Sequence, residues 1–421
     1  MTSSSIEAVR LLLVVAALAS PACLSAQSDP TPPHLPTSYS ITLVTSDTGG
    51  HLLAEVETGW RLQSVRPVEM VLDSALRVIR VLVDGKPNTR LSRTMYARQG
   101  VEVVVPHEKA PGDTLTTRVR YHGIPRGGFR LGADRAGARA LAGETAGGRA
   151  QLWLPVPEGD YGSARTTVAW SVQASEGQRV VANGTLVGVD TLAYGHFTWH
   201  FRLDAPIPLA AFAVAAGHYA VTTLPHAACR RPCIPVTVWT APGDSASAAA
   251  GAFRRAADMV DYFTGLLGPF PYPGLAHVAS PLAPAGRPGA SVVLYDEGDI
   301  HSSNVDEREV ARATAAQWLG NAVSEAGPPD GPSGAAAAYL AFLWSRQGRG
   351  GPITEMLPRD VESIRALHQT VGDSAFFRGL RRYVEANRNA AAAPGALERA
   401  MSDAAGRKLD WSFDRAAGPA K

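Results

Sequence analysis

Over most of the first half of the chain, hydrophobic residues alternate with polar ones, the two-residue period of a half-buried strand. Leu52, Ala54 and Val56 follow it, and Val78, Val81 and Val83 follow it after one irregular step. Residues 101–105 and 114–121 read as further strands, joined through Pro111-Gly112-Asp113. Between Val83 and Lys86 stands Asp84-Gly85, a pair that favours a tight hairpin turn. His196-Phe197-Thr198-Trp199-His200 is aromatic and β-branched and so predicts a strand, which sets its two histidines about 13 Å apart, too far to share a metal. Residues 123–149 break the pattern: rich in glycine, alanine and arginine without a period, they read as a long surface loop.

After about residue 232 the period changes. Residues 234–240 predict one more strand, and residues 246–267 an amphipathic helix. Phe253, Ala256, Val260, Phe263 and Leu267 share one face of that helix, with Arg254, Arg255, Asp258 and Asp261 elsewhere. Residues 305–326 predict a second helix, capped by Asn304 with Glu307 as the capping-box partner and Val310, Thr314 and Trp318 on the inner stripe. Further helices are expected over residues 335–346, 361–370 and 374–388. The fold class is therefore α+β, an N-terminal β-rich domain over residues 39–222 followed by a mostly helical domain over residues 228–421.

Composition adds a compartment. A short polar start ending in Arg10, an apolar run over residues 11–19 and Leu24-Ser25-Ala26 make residues 1–26 an export signal. That run is far short of the ~20 residues a spanning helix needs. Ser20 stands where a lipoprotein signal usually has leucine, which disfavours lipid anchoring at Cys23. Residues 27–38 form a polar, proline-rich arm, and the mature chain is expected outside the cytoplasm, periplasmic or secreted. A formal net charge of +2 gives no electrostatic case for nucleic acid. Signal removal leaves Cys229 and Cys233, spaced as a tight disulfide loop; half of a zinc site is the competing reading, but no second cysteine pair exists to complete it.

Several blocks resemble the gluzincin zinc aminopeptidases, the aminopeptidase N-like family. Residues 206–219 are similar to the segment closing that family's first β domain. Leu266-Leu267-Gly268-Pro269-Phe270-Pro271-Tyr272-Pro273 resembles its Gly-Pro-Tyr-Pro-Tyr turn, and Gln317-Trp318-Leu319-Gly320-Asn321 resembles the stretch after its zinc helix. Val371-Gly372-Asp373-Ser374-Ala375-Phe376 and Leu380-Arg381-Arg382-Tyr383 are like its late helices. The resemblance spans residues 39–414 and implies a thermolysin-like helical domain.

The resemblance also shows what is missing. The family's zinc helix carries His-Glu-x-x-His, two ligands one turn apart with a general base between them. Here those positions are Arg312-Ala313-Thr314-Ala315-Ala316. The third ligand, a glutamate on the next helix, falls on Gly334 or Ala335. The substrate-holding Gly-Ala-Met-Glu-Asn strand corresponds to Gly289-Ala290-Ser291-Val292-Val293, without a carboxylate, and the oxyanion tyrosine corresponds to Leu357. Gly289-Ala290-Ser291 is no nucleophile elbow either, since Val293 occupies the final glycine. General acid–base catalysis alone is worth ~10²–10⁴ in rate, so the combined losses imply no catalysis and no zinc. The expected role is that of a pseudopeptidase binding a peptide or protein partner. The rival is a metallopeptidase whose ion is held by Asp296, Glu297, Asp299 and His301, a run that otherwise reads as a solvated loop; these residues and Arg312 are the candidate cleft contacts.

Overall fold

The computed structural model describes residues 34–45, 50–87, 100–159, 164–227, 229, 233–282, 288–325, 331–347 and 356–417. The expected export signal and Cys23 lie outside the described residues. The N-terminal region is β-rich and the later region mainly helical, as the periodicity predicts.

Eight strands form the main sheet, with His34–Thr45 at its centre between antiparallel Leu52–Leu62 and parallel Arg165–Ser175. The strand begins at His34, so the last part of the expected arm already belongs to the sheet. Leu52–Leu62 and Arg165–Ser175 alternate buried and half-buried residues along almost their whole length, and one face packs on a core built around Tyr39, Trp60, Trp153 and Trp170. The Asp84-Gly85 turn forms as predicted, with φ of 47° and 77° at its two residues. His196 and His200 lie on the strand His196–Pro208, and His200 is held by Ser171 Oγ at 2.9 Å and Asp190 at 3.0 Å.

The expected loop over residues 123–149 is a hairpin instead. Phe129–Ala133 pairs with Arg139–Glu144 inside a four-stranded sheet, and residues 140–146 are buried. Its small residues misread as a loop because large rings lie on the strand: a Cβ on Gly143 would come within 2.7 Å of the Phe129 ring and 3.1 Å of Trp153. The turn is closed by Asp134 Oδ1, which accepts from the amides of Ala136 at 2.9 Å and Ala138 at 2.8 Å.

A second four-stranded sheet opens the later region. Its strands Val236–Thr240, Leu275–Ser280 and Val292–Asp296 are mutually parallel, and Ala220–Thr223 joins antiparallel at one edge. The helices among the described residues are α1 (Ser245–Ala250), α2 (Ala256–Leu267), α3 (Glu297–His301), α4 (Glu307–Ala315), α5 (Pro332–Ser345), α6 (Arg359–Val371), α7 (Asp373–Asn387), α8 (Ala396–Ala405) and α9 (Phe413–Ala417). None is long and apolar enough to cross a membrane.

Three helical expectations need correction. The helix over residues 246–267 is split, because the chain turns at Gly251 before α2 starts. The helix over residues 305–326 is only α4. Its cap is Asp306, whose Oδ1 accepts from the Arg308 amide at 3.0 Å; Glu307 instead accepts from Trp344 Nε1 at 2.9 Å. It stops before Gly320, where φ is 121°, a region open chiefly to glycine. The presumed solvated loop at Asp296–His301 is the end of a strand followed by α3.

Candidate functional site

Helix α4 places Arg312 and Ala316 one turn apart on the same face. Ala313, Ala316 and Ala335 are 2%, 7% and 1% exposed, so three of the positions that the resemblance assigned to the site are methyl groups inside the core rather than the floor of a groove. Gly334 is half-buried at the start of α5.

The blocks that carry the family resemblance hold one another. Gln317 Oε1 accepts from the Ser291 amide at 2.8 Å, while its Nε2 donates to the carbonyls of Gly289 and Ala313, both at 3.1 Å. From the β-rich side Asn183 Nδ2 donates to Ala290 O at 2.6 Å and Ala211 O at 3.0 Å, and Ser291 Oγ accepts from the Gly184 amide at 2.9 Å. Trp318 Nε1 donates to Gly268 O at 3.0 Å and Pro269 O at 3.1 Å, tying the helix to the Gly-Pro-Phe-Pro turn. Asn321 Nδ2 reaches Pro288 O at 3.1 Å. Arg165 spans the two regions, donating to Ala322 O and Ser324 Oγ at 2.7 Å each. Buried polar groups of this kind must be paired, so the motif residues serve as framework.

Arg312 and Leu357 line one cavity of about 260 Å³. Ala338, Ala341, Phe342, Pro358 and Val361 supply its apolar walls, and Asp306, Arg308 and Glu309 its polar rim. Arg308 lies over the Phe342 ring at 5.7 Å. Burial raises the Glu309 carboxyl above the usual range; the Arg312 charge opposes that shift, and Asp299 and Asp306 add to it. Glu309 was not singled out from the sequence, although it lies three residues before Arg312 on the same helix and was open to an i,i+3 reading.

The expected cleft contacts do not converge. Asp296 caps α3, accepting from the amides of Gly298 at 2.8 Å and Asp299 at 3.4 Å. Glu297 and His301 line a different cavity, and His301 Nδ1 is 2.8 Å from Asp244. Among the described residues no three His, Cys, Asp or Glu side chains are placed to hold one metal ion. The guanidinium of Arg312 and the methyl groups of Ala316 and Ala335 do not fit zinc, whose ligands are thiolate, imidazole or carboxylate.

Tyr339, His368 and Asp373 form a relay, with Tyr339 Oη and His368 Nδ1 2.9 Å apart and His368 Nε2 2.9 Å from Asp373. It pins α5, α6 and α7 together, and His368 stacks on Phe376 at 4.2 Å. Cys229 and Cys233 are joined by a disulfide, with Cα atoms 5.7 Å apart.

No protein-family model matches the chain. No curated protein matches its sequence either. Among solved structures, an M1 zinc metallopeptidase from Deinococcus radiodurans superposes with a TM-score of 0.72 at 20% identity, over 93% of this chain and 94% of that one. A substituted form of the Deinococcus radiodurans enzyme, bound to a Tyr-Ser-Ala substrate, gives 0.74 at 21% identity over 92% and 95%. A two-domain M1 zinc metallopeptidase variant bound to L-tryptophan gives 0.73 at 22% identity over 91% and 93%. At such identities the likeness is one of fold: this chain has the architecture of the M1 zinc metallopeptidases across nearly its whole length.

Proposed function

We propose that this protein is an exported, non-catalytic relative of the zinc aminopeptidases that binds a peptide or protein partner. The observation that carries the reading is the pairing of Arg312 and Leu357 in one cavity, at the positions where the resemblance would put a zinc ligand and the oxyanion tyrosine. A guanidinium above apolar walls suits a carboxylate next to an apolar side chain, as at the C-terminus of a peptide, because arginine can grip both carboxylate oxygens. The division into residues 39–222 and 228–421 belongs to the same reading, as does the absence of a resident metal. The Cys229–Cys233 disulfide is compatible with an oxidising compartment.

Fluorescence titration with a peptide pool bearing free or amidated C-termini tests the proposal. Free-acid peptides should bind, Arg312→Ala should weaken them roughly tenfold, and Leu357→Trp should block the cavity. Ala313 is unsuitable as a blocking position, since at 2% exposure a bulky side chain there would overpack the core. Equal affinity for free and amidated peptides, unchanged by both substitutions, refutes the reading.

A further inference from the structure

Three adjacent strands of the eight-stranded sheet bring a serine, a histidine and an aspartate together on the face turned away from the Trp170 core. Ser171 lies on Arg165–Ser175, and His200 stands directly opposite it on His196–Pro208. Asp190 comes from the edge strand Thr185–Thr191. Ser171 Oγ is 2.9 Å from His200 Nδ1, and His200 Nε2 is 3.0 Å from Asp190 Oδ2.

The order of these bonds follows from what each group can do. A carboxylate only accepts, so the neutral imidazole carries its single proton on Nε2, toward Asp190. Nδ1 is then the lone pair and accepts from the Ser171 hydroxyl. Nucleophile, base and orienting carboxylate stand in the sequence that acyl transfer needs, with the two ring nitrogens exchanged relative to the serine-protease arrangement.

The backbone leaves this group accessible. Asp190 pairs with Thr198 and reaches diagonally to His200, just past a bulge between Leu186 and Gly188. Bulges of this kind re-aim side chains beside working sites. Gly188 is the register partner of His200, and a Cβ there would meet nothing within 4 Å, so no side chain stands over the ring at that position. On the other side Thr42 is the register partner of Ser171, which sets a second hydroxyl-bearing residue one strand spacing away, about 5 Å.

We propose that Ser171, His200 and Asp190 form an esterase site for small activated esters, of the aryl acetate class. Ser171 Oγ attacks the ester carbonyl while His200 Nδ1 takes its proton. The tetrahedral adduct expels the phenolate, which leaves with the proton from His200. Water, deprotonated by His200 in turn, cleaves the acetyl-serine to acetate and restores the Ser171 hydroxyl. Thr42 is the donor placed for the developing oxyanion, and Asp190 is a positioning residue that holds the ring in its tautomer. The substrate class follows from the setting. Ser171 lies on an open face, outside the cavities at Arg312 and Glu297, and the sheet amides are spent on the ladder. Only an ester with a good leaving group is within reach of so little oxyanion support. The proposal does not rest on the peptide-binding reading.

Incubation with p-nitrophenyl acetate, followed by acid quenching and peptide mapping, tests this. The unsubstituted protein should yield an acetyl group on Ser171, a readout independent of how any variant folds. Ser171→Ala and His200→Ala should each lower turnover about 100-fold, within the usual worth of a positioned general base, and His200→Ala should also remove the acetyl-Ser171 peptide. Asp190→Asn should lower kcat roughly tenfold or more with KM unchanged, a split that a merely structural aspartate would not produce. Absence of acetyl-Ser171 overturns the proposal. So does its undiminished formation in His200→Ala, or a Ser171→Ala protein as fast as the unsubstituted one.

Discussion

Replacing His277 by phenylalanine should remove part of the protein's acid sensitivity. The ring is fully buried between Phe253 and Tyr295, its Nδ1 is 3.0 Å from the Tyr295 hydroxyl, and its Nε2 has no hydrogen-bond partner among the described residues. Burial lowers its pKa from 6.5 to about 3, so the folded protein keeps the ring neutral where the unfolded chain would protonate it. The unfolded state therefore binds more protons, and the contribution is complete above pH 6.5 and drains away as pH falls toward 3. At pH 5 the cost is about 2 kcal/mol, from 1.36 kcal/mol per unit over the interval below the unfolded value. Urea unfolding at pH 7.5 and pH 5 measures it. The stability lost between the two pH values should shrink by about that amount in His277→Phe. Leaving the Tyr295 hydroxyl without its partner costs about 1 kcal/mol at both pH values and cancels in the difference. His34 and His368 are also lowered by burial and drain in the same direction, but they contribute equally to both proteins. Identical pH dependence in wild type and variant would refute the argument.

Two further outcomes are expected. Peptide mapping of protein from its native compartment should find Cys229 bonded to Cys233, and replacing both by serine should cost about 2 kcal/mol or less in urea unfolding, because the closed loop is so short. The purified protein should carry no stoichiometric zinc by elemental analysis, and chelators should leave its melting temperature unchanged; a melting temperature that falls with chelator and recovers with zinc would contradict the reading of Arg312, Ala313 and Ala316.

Strands that bury one face announce themselves in sequence, which is why the alternation of Leu52, Ala54 and Val56 was legible, although the strand runs on to Leu62. The Phe129–Ala133 and Arg139–Glu144 hairpin was not, since its backbone lies against Trp153 and Phe129 and selects small residues that carry no period. Parallel strands buried on both faces, such as Leu275–Ser280, likewise show no alternation. At the candidate site, the Gln317-Trp318 block fixed the counting by which the resemblance assigned Arg312 and Ala316 to ligand positions. What the sequence could not give is partnership at long range. Asp244 and His301 meet across 57 positions, and Glu297, expected with Arg312 at one cleft, lines a different cavity.

The bonds from Asn183 and Gln317 to residues 289–291 have a mechanical consequence. One side chain comes from the β-rich region and the other from the turn that follows α4, and both grip the same three-residue segment. Swinging the two regions apart would strand buried donors and acceptors at about 1–3 kcal/mol each, so a hinge at this seam is closed to thermal motion. Heat should then dissolve both regions in one calorimetric transition. A closed seam favours entry at cavities that open to the surface over a parting of the two regions.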